Sequence, residues 1–297
     1  MSSELPPVVA YLRCPHCGFS LGPAPAAKPE QNWSGVICEQ GHHFDVAKQG
    51  YLSLLGKKSR TDTGDSVEMV TARANFLKTG LYQPISDAVT AVAHEYRGSH
   101  RLSIEIGAGT GYYLGRVLDS RQQDHGIAVD SSVRAARRAA KAHPRMFSVV
   151  ADAWDALPIR SHSAGVLLSV FAPRSVGEIC RLLAPGGVFI AVTPEPSHLT
   201  ELVSQFGMLT VDAGKAEKLG RDFAAELEVV SAVSTTFEMA LDPVMVRDLV
   251  MMGPSARHVD PESFERQWRA LPQAISVTGA VTVTVLKNRT VSGSART

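Results

Sequence analysis

The chain is poor in the features that would send it out of the cell or into a membrane. No apolar run comes near the ~20 residues that a membrane-spanning helix needs; the longest runs, such as residues 164–171, broken by Ser169, fall far short. Met1-Ser2-Ser3-Glu4-Leu5-Pro6-Pro7 has neither the basic flank nor the apolar stretch of a secretory leader, so none is expected. The formal net charge is only +1, so no global field marks the chain for nucleic acid, and any RNA contact has to use a local patch. Cysteines number four, and three of them fall within the first 38 residues at metal-like spacing, so a reducing, cytoplasmic setting is expected rather than a disulfide framework. Internal repeats are absent. What remains is globular: 44% hydrophobic and 20% charged residues over 297 positions, enough for one large or two unequal domains.

The densest signal is Ser103-Ile104-Glu105-Ile106-Gly107-Ala108-Gly109-Thr110-Gly111-Tyr112. Leu102, Ile104 and Ile106 predict a short apolar strand, and residues 113–118 predict a helix after it. Glycine lets the intervening backbone turn tightly and approach a ligand, at which the amides opening the helix then point. The spacing is G-x-G-x-G, not the dinucleotide G-x-G-x-x-G. Glu105, two positions before Gly107, can accept a hydrogen bond from a cationic amino group. This pattern resembles motif I of class I S-adenosylmethionine (SAM) methyltransferases; a glycine-rich turn in another α/β protein is the competing reading.

Around the loop a βα alternation is expected. Helices are predicted over residues 66–78, 82–96, 131–143 and 178–183, and strands over 127–130, 146–151, 164–171 and 188–193. Strands over 228–239 and 276–286, with a helix over 243–252 between them, read as antiparallel sixth and seventh strands. Residues 212–227 are polar and give no clear period, and 291–297 read as a frayed tail. Asp130 ends the second strand, Asp152 follows the third, and His198 follows the fifth, at the carboxyl edge where open α/β sheets bind ligands. In a SAM fold these places imply ribose hydroxyls for Asp130 and the adenine amino group for Asp152. Phe171-Ala172-Pro173-Arg174, after the fourth strand, is where a target base would sit. Arg134, Arg138 and Lys141 share one helix face, read as solvated or as an RNA backbone contact. Cys180 reads as a small buried residue.

Ahead of this lies a second signal. Cys14-Pro15-His16-Cys17-Gly18 and Cys38-Glu39-Gln40-Gly41-His42 are two tight ligand pairs that can close a tetrahedral zinc site through Cys14, Cys17, Cys38 and His42. Four protein ligands leave no open position, so such a zinc is structural. His16 and His43 are rival nitrogen ligands, and free thiols or a redox C-x-x-C is the alternative. Residues 22–29 read as a loop insertion and 56–65 as a polar, basic linker. The expected division is a zinc ribbon over 1–52, a linker over 53–65 and the SAM domain over 66–297.

Taken together, the cluster, the exit Cys38…His42-His43-Phe44-Asp45-Val46-Ala47-Lys48-Gln49-Gly50-Tyr51, the segment Gly64-Asp65-Ser66-Val67-Glu68-Met69, Ala72-Arg73, Phe76-Leu77, Gly80 and Tyr82-Gln83-Pro84 resemble one family. It is the zinc-containing bacterial 23S rRNA (guanine-N1) methyltransferases, one branch of which is linked to tylosin and other macrolide resistance. The resemblance runs from about Cys14 to about Leu202. It implies an α/β fold, a class I SAM-dependent methyltransferase with a Rossmann-like seven-stranded sheet and a small N-terminal zinc ribbon. It implies zinc on Cys14, Cys17, Cys38 and His42, and SAM contacts on Tyr82, Gly109, Thr110 and His198. With the loop and strand ends, the expected cofactor set is Tyr82, Glu105, Gly107, Gly109, Thr110, Gly111, Asp130, Asp152 and His198. The chain departs from the family's Gly-Cys-Gly-Glu-Gly loop by carrying Gly-Ala-Gly-Thr-Gly, and its ribbon is longer. The implied partner is a 23S rRNA hairpin in domain II, lining the peptide exit tunnel; no membrane is implied, and a homodimer is left open. A small-molecule methyltransferase and a non-catalytic zinc-ribbon RNA-binding protein are the alternatives, and no general base is assigned.

Overall fold

The computed structural model describes residues 5–25, 34–56, 64–96 and 98–289. The basic residues Lys57, Lys58 and Arg60, the ribbon loop beyond residue 25 up to residue 33, and the tail from 290 lie outside the described residues.

The chain opens with a 3-10 turn, Pro7–Tyr11, and a small antiparallel sheet of β1 (Leu21–Ala24), β2 (Gly35–Cys38) and β3 (His43–Asp45), in that order. Gly22-Pro23-Ala24, expected in a loop, forms the body of β1, pairing Gly22 with Ile37 and Ala24 with Gly35. β1 is an edge strand, where a proline without an N–H is tolerated. β4 (Tyr51–Ser53) then leaves the ribbon and enters the main sheet.

The order continues α1 (Val67–Lys78), α2 (Gln83–Glu95), β5 (Leu102–Ile106), α3 (Tyr112–Ser120), β6 (His125–Asp130), α4 (Val133–Ala139), β7 (Met146–Val150), β8 (Ala164–Val170), α5 (Val176–Leu182) and β9 (Leu183–Pro194). It closes with α6 (Thr200–Phe206), α7 (Lys215–Phe223), β10 (Leu227–Leu241), α8 (Pro243–Met251), α9 (Pro261–Arg269) and β11 (Ile275–Asn288). Side-chain oxygens cap several helices: Ser66 accepts from the Met69 amide, Asp242 from Met245 and Asp260 from Ser263.

The main sheet has eight strands in the order β10-β11-β9-β8-β5-β6-β7-β4, against the seven expected. The extra member is β4, which runs parallel to β7 with Leu52 opposite Val149. The last two strands pair antiparallel as expected, and because β11 also runs against β9, β10 points the same way as β9. Every residue of β5, β7 and β8 is buried, because helices or the ribbon cover both faces. The order reverses between β5 and β8, which opens a crevice at the carboxyl ends of the strands.

One face of the sheet packs on α1–α3, α6, α8 and α9 through residues such as Phe76, Ile85, Leu114, Phe206 and Phe264. The other face packs on the ribbon: Val8, Val9, Leu12, Leu21 and Val36 share one core with Ile127, Val129, Phe147 and Val149. Backbone bonds fix this docking, with the Arg160 amide donating to the Tyr11 carbonyl at 2.7 Å and the Arg13 amide to Pro158 at 2.8 Å. The boundary drawn at residue 52 therefore falls inside a strand of the large sheet. Among the described residues no helix is long and apolar enough to cross a membrane. Cys180, expected buried, is half-buried against this second core.

Candidate metal centre and cofactor cavity

Glycines with left-handed backbones, Gly18 (φ 75°) and Gly41 (φ 79°), turn the chain at both knuckles. The turns bring Cys14, Cys17, Cys38 and His42 together, all four ligand atoms lying within 4.8 Å of one another. Cys17 Sγ stands 3.6 Å from Cys38 Sγ, and His42 Nδ1 stands 3.5 Å from Cys14 Sγ and 3.4 Å from Cys38 Sγ. A zinc with Zn–S near ~2.3 Å and Zn–N near ~2.0–2.1 Å requires tetrahedral edges of about 3.6–3.8 Å. The three observed edges, 3.4–3.6 Å, fall at or just below that range, so the donor set and its spacing fit zinc. The rival histidines are turned elsewhere. His43 Nδ1 faces Asp45 at 3.5 Å, and the His16 ring packs between His42 and Phe44. The His16 amide points at Cys14 Sγ at 3.4 Å, the kind of donor that stabilises a thiolate.

The crevice beyond β5, β6 and β8 holds a cavity of about 980 Å³. Gly107, Gly109 and Gly111 all have positive φ, of 70°, 55° and 79°. A Cβ on Gly107 would stand 2.4 Å from that of Ala172, so the loop lies against the segment after β8 only without a side chain there. A Cβ on Gly109 would meet only the Arg73 side chain, its guanidinium at 3.1 Å and its Cδ at 3.4 Å, and the position faces the cavity. Tyr82, Glu105, Gly107, Gly109, Thr110, Asp130, Asp152 and His198 all line the cavity. Gly111 does not; it is the N-cap of α3 and faces Met146, Ala139 and Ala142.

The carboxylates are held by backbone amides. Asp130 accepts from the Gly109 amide on one oxygen and the Ser132 amide on the other, both at 2.8 Å. Burial raises its pKa, and these two amides and Arg73 oppose the shift. Glu105 lies beneath the loop and accepts from the Leu114 amide at 3.0 Å; burial, with Asp130 adding to it, pushes its pKa up to about 8. Asp152 is buried and accepts from the Trp154 amide at 3.0 Å.

Across the cavity stand Tyr82, Phe171 and His198. His198 Nδ1 accepts from the Ala280 amide at 3.1 Å, so the ring proton sits on Nε2, which donates to Tyr82 Oη at 3.3 Å. Burial pulls the His198 pKa down to about 4, which keeps the ring neutral. Tyr82 is fully buried, and its own hydroxyl hydrogen remains for a ligand. Phe171, with φ of 53°, stacks on His198 at 5.6 Å between ring centroids and is 40% exposed.

Sequence reasoning gave no individual role to several wall residues, although it placed a target base at Phe171-Ala172-Pro173-Arg174. Arg73 pairs with Asp65 and donates to the Met252 carbonyl at 2.5 Å, tying the end of the linker segment to α8 beside the glycine loop. Ser132 Oγ donates to the Asp65 carbonyl at 3.0 Å on the other side. Trp154 and Leu209 are exposed on the wall, and Arg174, Lys218 and Asp222 also line it. Arg73 stood inside a quoted motif, but nothing local links Arg174 to α7.

The family model of the RlmA N-terminal zinc ribbon matches residues 12–60. A 23S rRNA (guanine(748)-N(1))-methyltransferase of Streptomyces fradiae is 41% identical over 282 residues, spanning 94% of this chain and 98% of the relative. A Micromonospora griseorubida protein, provisionally named a 23S rRNA (guanine-N(1)-)-methyltransferase, is 39% identical over 290 residues, spanning 93% and 97%. Among solved structures, geranyl diphosphate methyltransferase in complex with SAM superposes with a TM-score of 0.45 at 17% identity, covering 77% of this chain and 93% of that one.

Proposed function

The chain belongs to the 23S rRNA (guanine-N1) methyltransferases, and we propose that its own target is a guanine in the domain II hairpin of 23S rRNA, beside the peptide exit tunnel. The observation that carries this reading is the 41% identity to the Streptomyces fradiae enzyme over 94% of the chain, beside a zinc-ribbon family match over residues 12–60 that contains the whole metal cluster. The chain is a SAM-dependent methyltransferase with a structural zinc. SAM supplies a methyl group already activated by its sulfonium, so the protein's work is positioning and exclusion of water.

We assign the cofactor to the wall formed by Gly107, Gly109, Thr110, Asp130 and Asp152, with Asp130 taking ribose hydroxyls and Asp152 the adenine amino group. Glu105 lies beneath the loop, and Tyr82 offers its hydroxyl hydrogen from the far side. We assign zinc to Cys14, Cys17, Cys38 and His42, and RNA holding to the ribbon of residues 1–52 with the linker after it. In this reading the work is done in the cytoplasm, where ribosomal RNA lies.

N1 is hidden when guanine is paired, so the target has to be unpaired or turned out of its stack. A methyl there removes a hydrogen-bond donor and adds bulk on the Watson–Crick edge. A macrolide whose sugars reach the hairpin then binds worse, and tylosin-type resistance follows. Primer extension on rRNA from a strain lacking this activity, with and without the protein, tests the proposal. One new stop in the domain II hairpin is expected. No stop there, with label from SAM appearing on transfer RNA or on a small molecule, overturns the target.

A further inference from the structure

Away from the cofactor end the cavity wall carries Arg174 and Asp222, with Lys215 and Lys218 on the same helix as Asp222. Arg174 follows β8 past Phe171-Ala172-Pro173, and Asp222 lies on α7. Arg174 is half-buried and has no hydrogen bond to any described residue; burial lowers its pKa, and the Asp222 carboxylate is the charge that counters this. Every other carboxylate of the wall is engaged: Asp65 by Arg73, Glu105 by the Leu114 amide, Asp130 by the Gly109 and Ser132 amides, and Asp152 by the Trp154 amide. Asp222, half-exposed, holds Lys218 one turn away at 2.6 Å on Oδ2, and no described residue hydrogen-bonds its Oδ1. In the same cavity the Phe171 ring, three residues before Arg174, offers an aromatic face, 40% exposed and held against His198. The cavity, at about 980 Å³, stands at the top of the ~300–1,000 Å³ range of single-ligand sites and has room for a nucleobase beside a cofactor.

Guanine's Watson–Crick edge presents one acceptor, O6, beside two donors, N1–H and N2–H. A guanidinium next to a carboxylate is its complement, and an aromatic face is what an extruded base stacks on. We infer that Arg174 and Asp222 read this edge of the target guanine, Arg174 at O6 and Asp222 across N1–H and N2–H, and that Asp222 takes the N1 proton. The inference rests on the guanine-N1 reading above. The N1–H bond breaks, its proton passes to Asp222, and its electron pair stays on the base, shared between N1 and the O6 that Arg174 faces. The carboxyl group keeps its hold on N2–H while N1 forms its bond to the methyl carbon. The carbon–sulfur bond breaks with its pair going to sulfur, which turns a sulfonium into a neutral thioether. Asp222 then returns the proton to water, so each turnover releases one proton.

The test uses the full-length, zinc-loaded protein, labelled SAM and a domain II hairpin transcript carrying either guanine or hypoxanthine at the target position. Asp222→Asn is expected to lower kcat roughly 10²–10⁴-fold, the usual worth of a general base. SAM affinity by calorimetry should stay unchanged. The wild type should prefer guanine over hypoxanthine, which lacks the N2 amino group, and the variant should lose that preference. Its rate should also climb with pH across the range where the wild type is flat, as hydroxide replaces the missing base. Arg174→Met, which keeps the stem and removes the O6 partner, is expected to lose activity without losing SAM. An Asp222→Asn enzyme that methylates at the wild-type rate, or that loses SAM affinity in step with activity, overturns the inference while leaving the target reading intact. A wild-type protein that leaves guanine N1 unmodified takes down the target reading itself.

Discussion

The metal centre and the cofactor cavity are built on opposite principles. The ribbon's three strands span only three or four residues each and bring few apolar side chains of their own, so its geometry is set by four ligand atoms on two glycine turns. The cavity needs no ligand to exist. Its walls are the ends of buried strands, and its carboxylates are already held by backbone amides. One region is organised by what it binds; the other is organised in advance. Yet the two are not independent, because the ribbon's apolar residues are part of the core on one face of the large sheet.

The strongest way to break this contrast is to remove a metal ligand. Structural zinc sites contribute on the order of 10–16 kcal/mol of apparent binding energy, all of it folding energy. Cys38→Ala should lose the zinc and open the ribbon. Because Val8, Val9, Leu12 and Val36 share a core with Ile127 and Phe147, the whole chain should also melt several degrees lower. Metal analysis with a thermal melt checks this; a zinc-free variant melting like the wild type would show that the ribbon is an appendage after all.

A smaller effect is expected in the cavity. Gly109→Val places a branched side chain in ligand space at a φ of 55°, where a non-glycine residue costs about 1–2 kcal/mol. The fold should survive, while SAM affinity by calorimetry falls at least ~100-fold, about 2.7 kcal/mol. A folded variant with wild-type affinity would detach the loop from the cofactor.

The smallest expected effect is a pH dependence. Glu105 has a folded pKa of about 8, above its unfolded value, so its contribution favours the folded state at low pH and is lost as pH rises toward 8. His198 has a folded pKa of about 4, below its unfolded value, so stability is lost as pH falls from about 6.5 toward 4. The two oppose each other in the acid range, and of these two only Glu105 acts above about pH 6.5. The SAM-free protein should lose ~1–2 kcal/mol between pH 6.5 and 8, and Glu105→Gln should abolish most of that slope in denaturant titrations. An unchanged slope would mean that the Glu105 carboxylate is better solvated than its burial implies.

What was legible in the sequence follows the same divide. Residues whose role is fixed by local spacing, such as the two ligand pairs, the three glycines and the acids after β6 and β7, could be read and are brought together. Roles set by distant partners could not. β4 is three residues long and gains its identity only from pairing with β7. α7 and α9 are polar helices whose buried positions are few, Leu219 and Phe223 in one and Phe264 in the other, so their periodicity was faint. Gly111 looked like a cofactor residue because it continues the loop's spacing, but its backbone is turning into α3. Arg174 and Asp222 line one cavity only because the chain from β8 to α7 brings distant segments to the same sheet edge.

The pairing of β4 with β7 also bears on how such enzymes can diverge or be recombined. Tyr51, Leu52 and Ser53 lie in register with Ser148, Val149 and Val150, and the Leu54 amide continues the ladder to the Val150 carbonyl at 2.9 Å. A ribbon exchanged at residue 50 keeps β4 with its own sheet but loses the ribbon side chains packed on that sheet, and one exchanged after residue 54 brings in a foreign strand that has to match the β7 edge. The ribbon is thus not a cassette. It is inherited with the sheet it borders, and a chimera that works has to carry β4 and β7 from the same parent.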